Sequence, residues 1–270
     1  MSIDPAASFR ILGGDQESAV VLHVPHSATA IPGQVRAGIL LDDDALAAEL
    51  RAMTDADTDR IADHAAQRAH RAPWSFVNLL SRLVIDPERF TDPDREEMEE
   101  IGMGAVYTAT SALGVLRDPD PHVRDDLLAH YFHPYAEALA DLVDQRLAAV
   151  GRAVVLDVHS YPRDVLPYER HPHDRRPQVC LGFDPEHTPE PLRAAAVEAF
   201  GAWELGVDEP FSGTYVPTRH YCDDLRVSSV MVEIRRDQYL DADGAPVPAE
   251  VERLGTALAA LVDAVDGMPA

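Results

Sequence analysis

The chain of 270 residues has no lysine; all 23 of its basic residues are arginine. Schiff-base chemistry and a lysine general base are therefore excluded from within the chain, and any cationic role falls to arginine. Cysteine is scarce. Cys180 and Cys222 are the only two, far apart and without CxxC spacing, which rules out a zinc–thiolate site. Both are expected to be reduced, Cys180 in the core and Cys222, just after His220-Tyr221, near the site. Positive charge is in deficit: 23 basic residues face 47 acidic ones, a net charge of −24. Nucleic acid and anionic membranes both need a basic face, so neither is an expected partner. No apolar run approaches membrane-spanning length. Residues 1–10 lack the basic and apolar regions of a signal peptide, so a cytoplasmic protein is expected. There is no Gly/Ser run, low-complexity tract or repeat that would act as a linker. A single domain over 1–270 is the expectation, and that length buries a substantial core.

What is present is a set of short apolar runs that end in polar residues. Ala153-Val154-Val155-Leu156 runs into Asp157-Val158-His159-Ser160. Val20 to Val24 runs into Pro25-His26-Ser27. Val230 to Arg235 carries Glu233 and Arg235 within it. Each run has the length and partial β-branching of a buried strand. Further strands are predicted over 8–12, 75–80, 83–85 and 179–183. Helices are predicted from Leu40 to Arg51, from an N-cap at Thr54 or Asp55 to about His70, from Val123 to Val150 with Pro134 as a candidate break, from Pro191 to Trp203, and from Val247 to Val265. Residues 91–121 and 161–177 read as irregular. Strands alternating with helices predict an α/β fold, a three-layer α/β/α arrangement around a mixed, mainly parallel sheet. Ligands of such sheets bind beyond the carboxyl ends of the strands.

That rule collects the chemical candidates. His26 and His159 close two separate strands, and Asp157 can lock a neighbouring histidine in the metal-binding tautomer. Catalytic zinc sites combine histidine with a carboxylate and keep one position open. Asp55 or Asp59, at the start of the helix after the His26 loop, would supply that carboxylate, with Asp55 preferred. Glu233 lies among Val, Met and Ile, where a charge needs either a partner or a function. A buried pair with Arg235 or Arg236 is one reading; strand alternation, which sends Glu233 and Arg235 the same way into a cleft, is the other. Arg82 and Arg89 flank an apolar segment and suit bidentate capture of a substrate carboxylate. Ser160, Arg219 and Arg235 complete the expected substrate-binding set. A serine nucleophile at Ser27 or Ser160 lacks the Gly-x-Ser-x-Gly elbow.

Six segments, in order, resemble the N-formylglutamate amidohydrolases: Val-Pro-His-Ser (24–27), Thr-Asp-Ala-Asp-Thr-Asp (54–59), Ser-Arg-Leu-Val-Ile-Asp-Pro-Glu-Arg (81–89), Asp-Val-His-Ser (157–160), Pro-Phe-Ser-Gly-Thr-Tyr (210–215) and Glu-Ile-Arg-Arg-Asp-Gln-Tyr-Leu (233–240). Val158-His159-Ser160-Tyr161 and Glu233-Ile234-Arg235-Arg236 are more distantly similar to segments of the zinc carboxypeptidases. The resemblance implies a zinc-carboxypeptidase-like fold and one Zn²⁺ per chain. His26 and His159 would be zinc ligands, Glu233 the general base and later acid, Arg82 the oxyanion or substrate contact, and Arg89 the carboxylate holder. Thr29 stands where a carboxypeptidase His-x-x-Glu would have its glutamate, and Glu88 where the amidohydrolases tend to have asparagine. The implied substrate is a small N-acyl amino acid, N-formyl-L-glutamate first. Amide hydrolysis of another acyl group and non-catalytic carboxylate binding remain as alternatives.

Overall fold

The computed structural model describes residues 8–170, 173 and 175–268. Residues 1–7 of the segment read for a leader, and 171, 172 and 174 of the expected loop 161–177, lie outside the described residues. Seven strands form one sheet: β1 (Phe9–Leu12), β2 (Val20–Val24), β3 (Trp74–Asn78), β4 (Ala153–Tyr161), β5 (Val179–Gly182), β6 (Leu205–Val207) and β7 (Val227–Arg235). Their order is β1-β3-β2-β4-β7-β5-β6. The central strands β3, β2, β4 and β7 run parallel, as do β5 and β6, while β1 on β3 and β5 on β7 are antiparallel. The sheet is thus mixed and mainly parallel. The helices are α1 (Gly33–Arg36), α2 (Asp43–Met53), α3 (Thr58–Arg68), α4 (Pro121–Leu127), α5 (His133–Val150), α6 (Glu190–Ala199) and α7 (Pro248–Asp266). Among the described residues none is long and apolar enough to cross a membrane.

Side chains alternate across a strand, and here the alternation separates two kinds of chemistry. Val20, Leu22 and Val24 of β2, Val154, Leu156 and Val158 of β4, and Val230, Val232 and Ile234 of β7 pack in one core with α3, α6 and α7. Val21 of β2 and Val155 of β4 pack on the other face, in clusters that include Leu142 and Val143 of α5. His23, Asp157, His159 and Glu233 share that second parity. All nine residues of β4 are buried, so its polar members must find partners inside the protein.

Three sequence expectations change. Leu83-Val84-Ile85 is not a strand. The Ser81 hydroxyl accepts from the Leu83 N–H at 3.2 Å and the Ser81 carbonyl from the Val84 N–H at 2.8 Å, which makes a turn. These apolar residues are buried in clusters away from the sheet, against α1, α2, α4 and the π-turn over Leu128–Phe132. The second helix begins at Thr58, because Asp57 is left-handed (φ 60°); this leaves Asp55 in the loop before it. Pro134 causes no break: the helical path continues from α4 through a π-turn over Leu128–Phe132 into α5, and that wider turn accommodates the proline. The short strand β6 gave no signal in the sequence.

Candidate active site

The chain leaves β2 for β3 on one side and reaches β4 on the other, so the carboxyl ends of β2 and β4 flank a switch point. Three segments deliver polar groups there. Pro25 ends β2, and its carbonyl accepts from Asn78 Nδ2 at 2.8 Å, fixing the turn that carries His26. The Asp55 N–H donates to the His26 carbonyl at 3.0 Å, which ties the loop before α3 to that turn. His159 is the register partner of Glu233 on β7.

The donors converge. His26 Nδ1 lies 3.3 Å from His159 Nδ1. Asp55 Oδ2 lies 3.1 Å from His159 Nδ1 and 3.6 Å from His26 Nδ1. A tetrahedral ion with bonds of about 2.0–2.1 Å needs donors about 3.3–3.4 Å apart, which these separations bracket. The outer nitrogen of each ring faces a carboxylate: His26 Nε2 lies 3.0 Å from Asp86 Oδ1, and His159 Nε2 lies 3.1 Å from Asp157 Oδ2 and 3.3 Å from Glu88 Oε2. Asp86 so placed holds the His26 proton on Nε2; His159 Nε2 is near Asp157 and Glu88 without a hydrogen bond, and both Nδ1 atoms face one point. Asp157 also binds His23 Nδ1 at 2.8 Å, and His23 Nε2 meets the Tyr135 hydroxyl at 2.6 Å.

Charge agrees with geometry. Asp55, Asp86, Glu88, Asp157 and Glu233 are buried or nearly so, and the guanidiniums near them are Arg82, Arg89 and Arg236. Carboxylates outnumber guanidiniums here, and a divalent ion would offset the excess negative charge. With no metal present, protons take that place. Burial and Arg82 lower the His26 pKa, yet Asp86 and Asp55 outweigh them and it stands raised. Burial opposes the charge of His159 too, but Asp157 and Glu88 push its pKa well above the ordinary value. Burial alone would raise Asp55 and Asp157; their histidine partners hold both below the usual carboxylate range. His26, Asp55 and His159 thus fit a metal ion by distance and charge.

A sequence profile of the N-formylglutamate amidohydrolases matches residues 18–240. The chain belongs to that family. The crystal structure of N-formylglutamate amidohydrolase from Ralstonia eutropha JMP134 is similar at a TM-score of 0.79 and 20% identity, over 96% of this chain and 97% of that one. The crystal structure of gene product Atu2144 from Agrobacterium tumefaciens is similar at 0.68 and 19%, over 97% and 96%. These likenesses show the α/β fold. No curated protein matches the chain. Membership in the family makes this chain a hydrolase acting on amide bonds.

In this amidohydrolase a cavity of about 500 Å³ opens over the cluster, lined by His26, Asp55, Arg82, Arg89, His159, Ser160, Glu233 and Arg236 among others. Asp86 is fully buried. Besides His26 it holds Arg82 Nη2 at 2.7 Å and the Tyr107 hydroxyl at 2.5 Å, and Arg89 Nε lies 3.6 Å away. Arg82 and His26 keep its carboxyl ionised despite burial. Arg82 Nε reaches the Tyr107 hydroxyl at 3.1 Å. Glu233 is 9% exposed, and its Oε2 is buried with no hydrogen-bond partner among the described residues. Burial drives its pKa up, against the pull of His159, to about 7.

Other expected site residues are placed elsewhere. Arg219 is on the surface, 2.7 Å from both Asp141 and Asp144, and does not line the cavity; the turn over 218–222 directs it toward α5. Arg235 bonds the Arg176 carbonyl and Asp237, not Glu233, and is absent from the cavity wall. Its neighbour Arg236 enters instead. It contacts Asp55 Oδ1 at 3.2 Å and Ser160 Oγ at 3.2 Å, because a 3₁₀ turn over Arg236–Gln238 starts where β7 ends. Ser160 is therefore engaged by an arginine. Cys222 is exposed and outside the cavity wall; Cys180 is buried opposite Glu233 in the register. Asp59 is not drawn into the cluster. Asp86, Tyr107 and His23 had no role in the sequence-based expectations, and Arg236 figured there only as an alternative partner of Glu233. Only Asp86 carried a signal, its place between Arg82 and Arg89.

Proposed function

We propose that this chain is a zinc-dependent amidohydrolase that cleaves the amide of a small N-acyl amino acid, with N-formyl-L-glutamate, the compound for which the family is named, as the reference substrate. One observation carries the reading: three donors converge within 3.1–3.6 Å of one another beside a buried, unpartnered carboxylate oxygen on Glu233. His26, Asp55 and His159 would hold the ion, and their two nitrogens and one oxygen suit zinc with one position left open. When bound, zinc supplies Lewis-acid polarisation of an amide carbonyl and acidification of water.

The chain's own groups do the rest. Arg89, whose Nε faces Asp86 without a hydrogen bond, and Arg82 receive the substrate carboxylate or the developing carbonyl oxyanion at the cavity wall. Glu233 takes a proton from the attacking water as its oxygen bonds to the acyl carbon. It returns that proton to the amine nitrogen as the C–N bond breaks, releasing the carboxylic acid and the free amino acid. A carboxyl with a pKa near 7 is suited to both transfers at neutral pH. The test is metal analysis of purified wild type and His159→Ala, together with an amine-release screen over N-formyl and N-acetyl amino acids with zinc present. One zinc per wild-type chain, its loss in the variant and zinc-dependent release are expected. Folded wild type without metal or turnover would leave a carboxylate-binding protein.

A further inference from the structure

A substrate carboxylate needs a cation that is not already spent, and the cavity wall offers few. Arg236 is consumed: Nε meets Ser160 Oγ, Nη1 the carbonyls of Arg51 and Ala52, and Nη2 both Asp55 and the Ser160 carbonyl. Arg170, at the same wall, is paired with Glu97 at 3.0 Å and Glu100 at 3.1 Å. That leaves Arg82 and Arg89, which both face Asp86, at 2.7 and 3.6 Å. These two guanidiniums share Asp86, and Arg89 Nη1 also lies 3.9 Å from Glu96, so together they accommodate at most one further carboxylate. Among the described residues of the wall there is no further unpaired arginine, and the chain has no lysine. On the remaining wall Glu97 and Glu169 are neutralised by Arg170 and Arg176, Glu88 has no arginine partner among the described residues, and Phe90, Met98, Leu166, Phe211 and Met231 supply apolar surface.

Resting on the amidohydrolase reading above, we infer that the amino acid released here carries one carboxylate, its own α-carboxylate, and an apolar side chain; a second carboxylate, as in glutamate, is disfavoured. The α-carboxylate fills the Arg82–Arg89 locus. The side chain then lies against the apolar wall. A γ-carboxylate in that place would be desolvated without a cation, a cost an apolar group does not meet. Burying a leucine- or phenylalanine-sized side chain is worth about tenfold to a hundredfold in apparent affinity.

The test measures kcat/KM of zinc-loaded wild type for the N-formyl derivatives of leucine, methionine, phenylalanine, glutamine and glutamate. Calorimetric Kd values for the same compounds on the Glu233→Gln variant accompany it. Expected are kcat/KM and affinity at least about tenfold higher for the three apolar derivatives than for glutamate, with neutral glutamine between them. Glutamate equal to or better than leucine in either measurement overturns the inference. If no compound turns over, the amidohydrolase reading fails by itself, and the order of Kd values still decides the side-chain preference: apolar tighter supports it, glutamate tighter or equal overturns it.

Discussion

Replacing Glu233 with glutamine should make the protein more stable and nearly inactive at once. Burial raises this carboxyl from an ordinary 4.5 to about 7. At about 1.4 kcal/mol per pKa unit, keeping it ionised in the folded, metal-stripped protein costs about 3 kcal/mol. The sign follows from the direction. The folded state holds its proton more tightly than the unfolded chain, so the cost is absent below pH 4.5 and complete above pH 7. Glutamine never ionises. It does place an amide donor where Oε2 now has no partner, which returns about 1 kcal/mol. The net gain is about 2 kcal/mol at pH 8, or roughly 4–8 °C in Tm for a chain of this size. Arg235 is not orphaned by the change, since it bonds Asp237 and the Arg176 carbonyl. In zinc-loaded protein kcat should fall by about 10²–10⁴ with little change in substrate binding. The assay is melting of chelator-treated wild type and variant at pH 4.5 and pH 8, with kcat measured on the same preparations after zinc loading. A variant that is less stable at pH 8 yet turns over near-normally would refute both the catalytic role and the desolvation argument.

Asp86→Asn should weaken zinc binding about 10–100-fold in a chelator competition, because the His26 Nε2 contact at 3.0 Å loses its charge. It should also destabilise the fold by about 3 kcal/mol, as Arg82 loses a buried partner at 2.7 Å. Arg89→Ala should raise KM for N-acyl amino acids well above its effect on the corresponding neutral amides, read from initial rates on matched pairs. Arg219→Ala should leave kcat/KM unchanged, since its contacts with Asp141 and Asp144 are on the surface and worth less than about 1 kcal/mol.

The parts of the site that could be read in the sequence are those that local pattern controls. Short apolar runs ending in His or carrying Glu marked β2, β4 and β7. Because all three are parallel neighbours of one sheet, their ends had to meet. Asp55 could be set ahead of Asp59 because a residue before a helix can turn toward the sheet end, and Asp57 in the left-handed region makes that turn. What stayed hidden depends on loop closure. Asp86 lies 60 residues from the His26 it orients, inside a segment whose apolar residues imitate a strand but pack against helices away from the sheet. Arg236 takes the position that alternation assigns to Arg235, since the backbone leaves the extended form at that residue. Alternation holds only while the strand lasts, and the site is built where strands stop.

Zinc loading should release protons, and the amount should depend on pH in a definite direction. With no metal bound, the raised pKa of His26 and the strongly raised pKa of His159 mean that both rings hold protons above the ordinary histidine range. Those protons stabilise the fold at low pH, and their contribution disappears as pH rises through the folded pKa values. Coordination through Nδ1 needs a neutral ring, so each bound ion displaces up to about two protons near pH 6.5, and fewer as pH climbs. Apparent zinc affinity must therefore rise with pH over the range in which metal-free stability falls. The ion takes over the neutralisation of Asp55, Asp86 and Asp157 as the protons depart. Calorimetric titration of zinc at pH 6.5 in buffers of different ionisation enthalpy reads the proton count directly. If the heat does not depend on the buffer, the rings are already neutral among those carboxylates, and the proposed exchange of protons for metal is wrong.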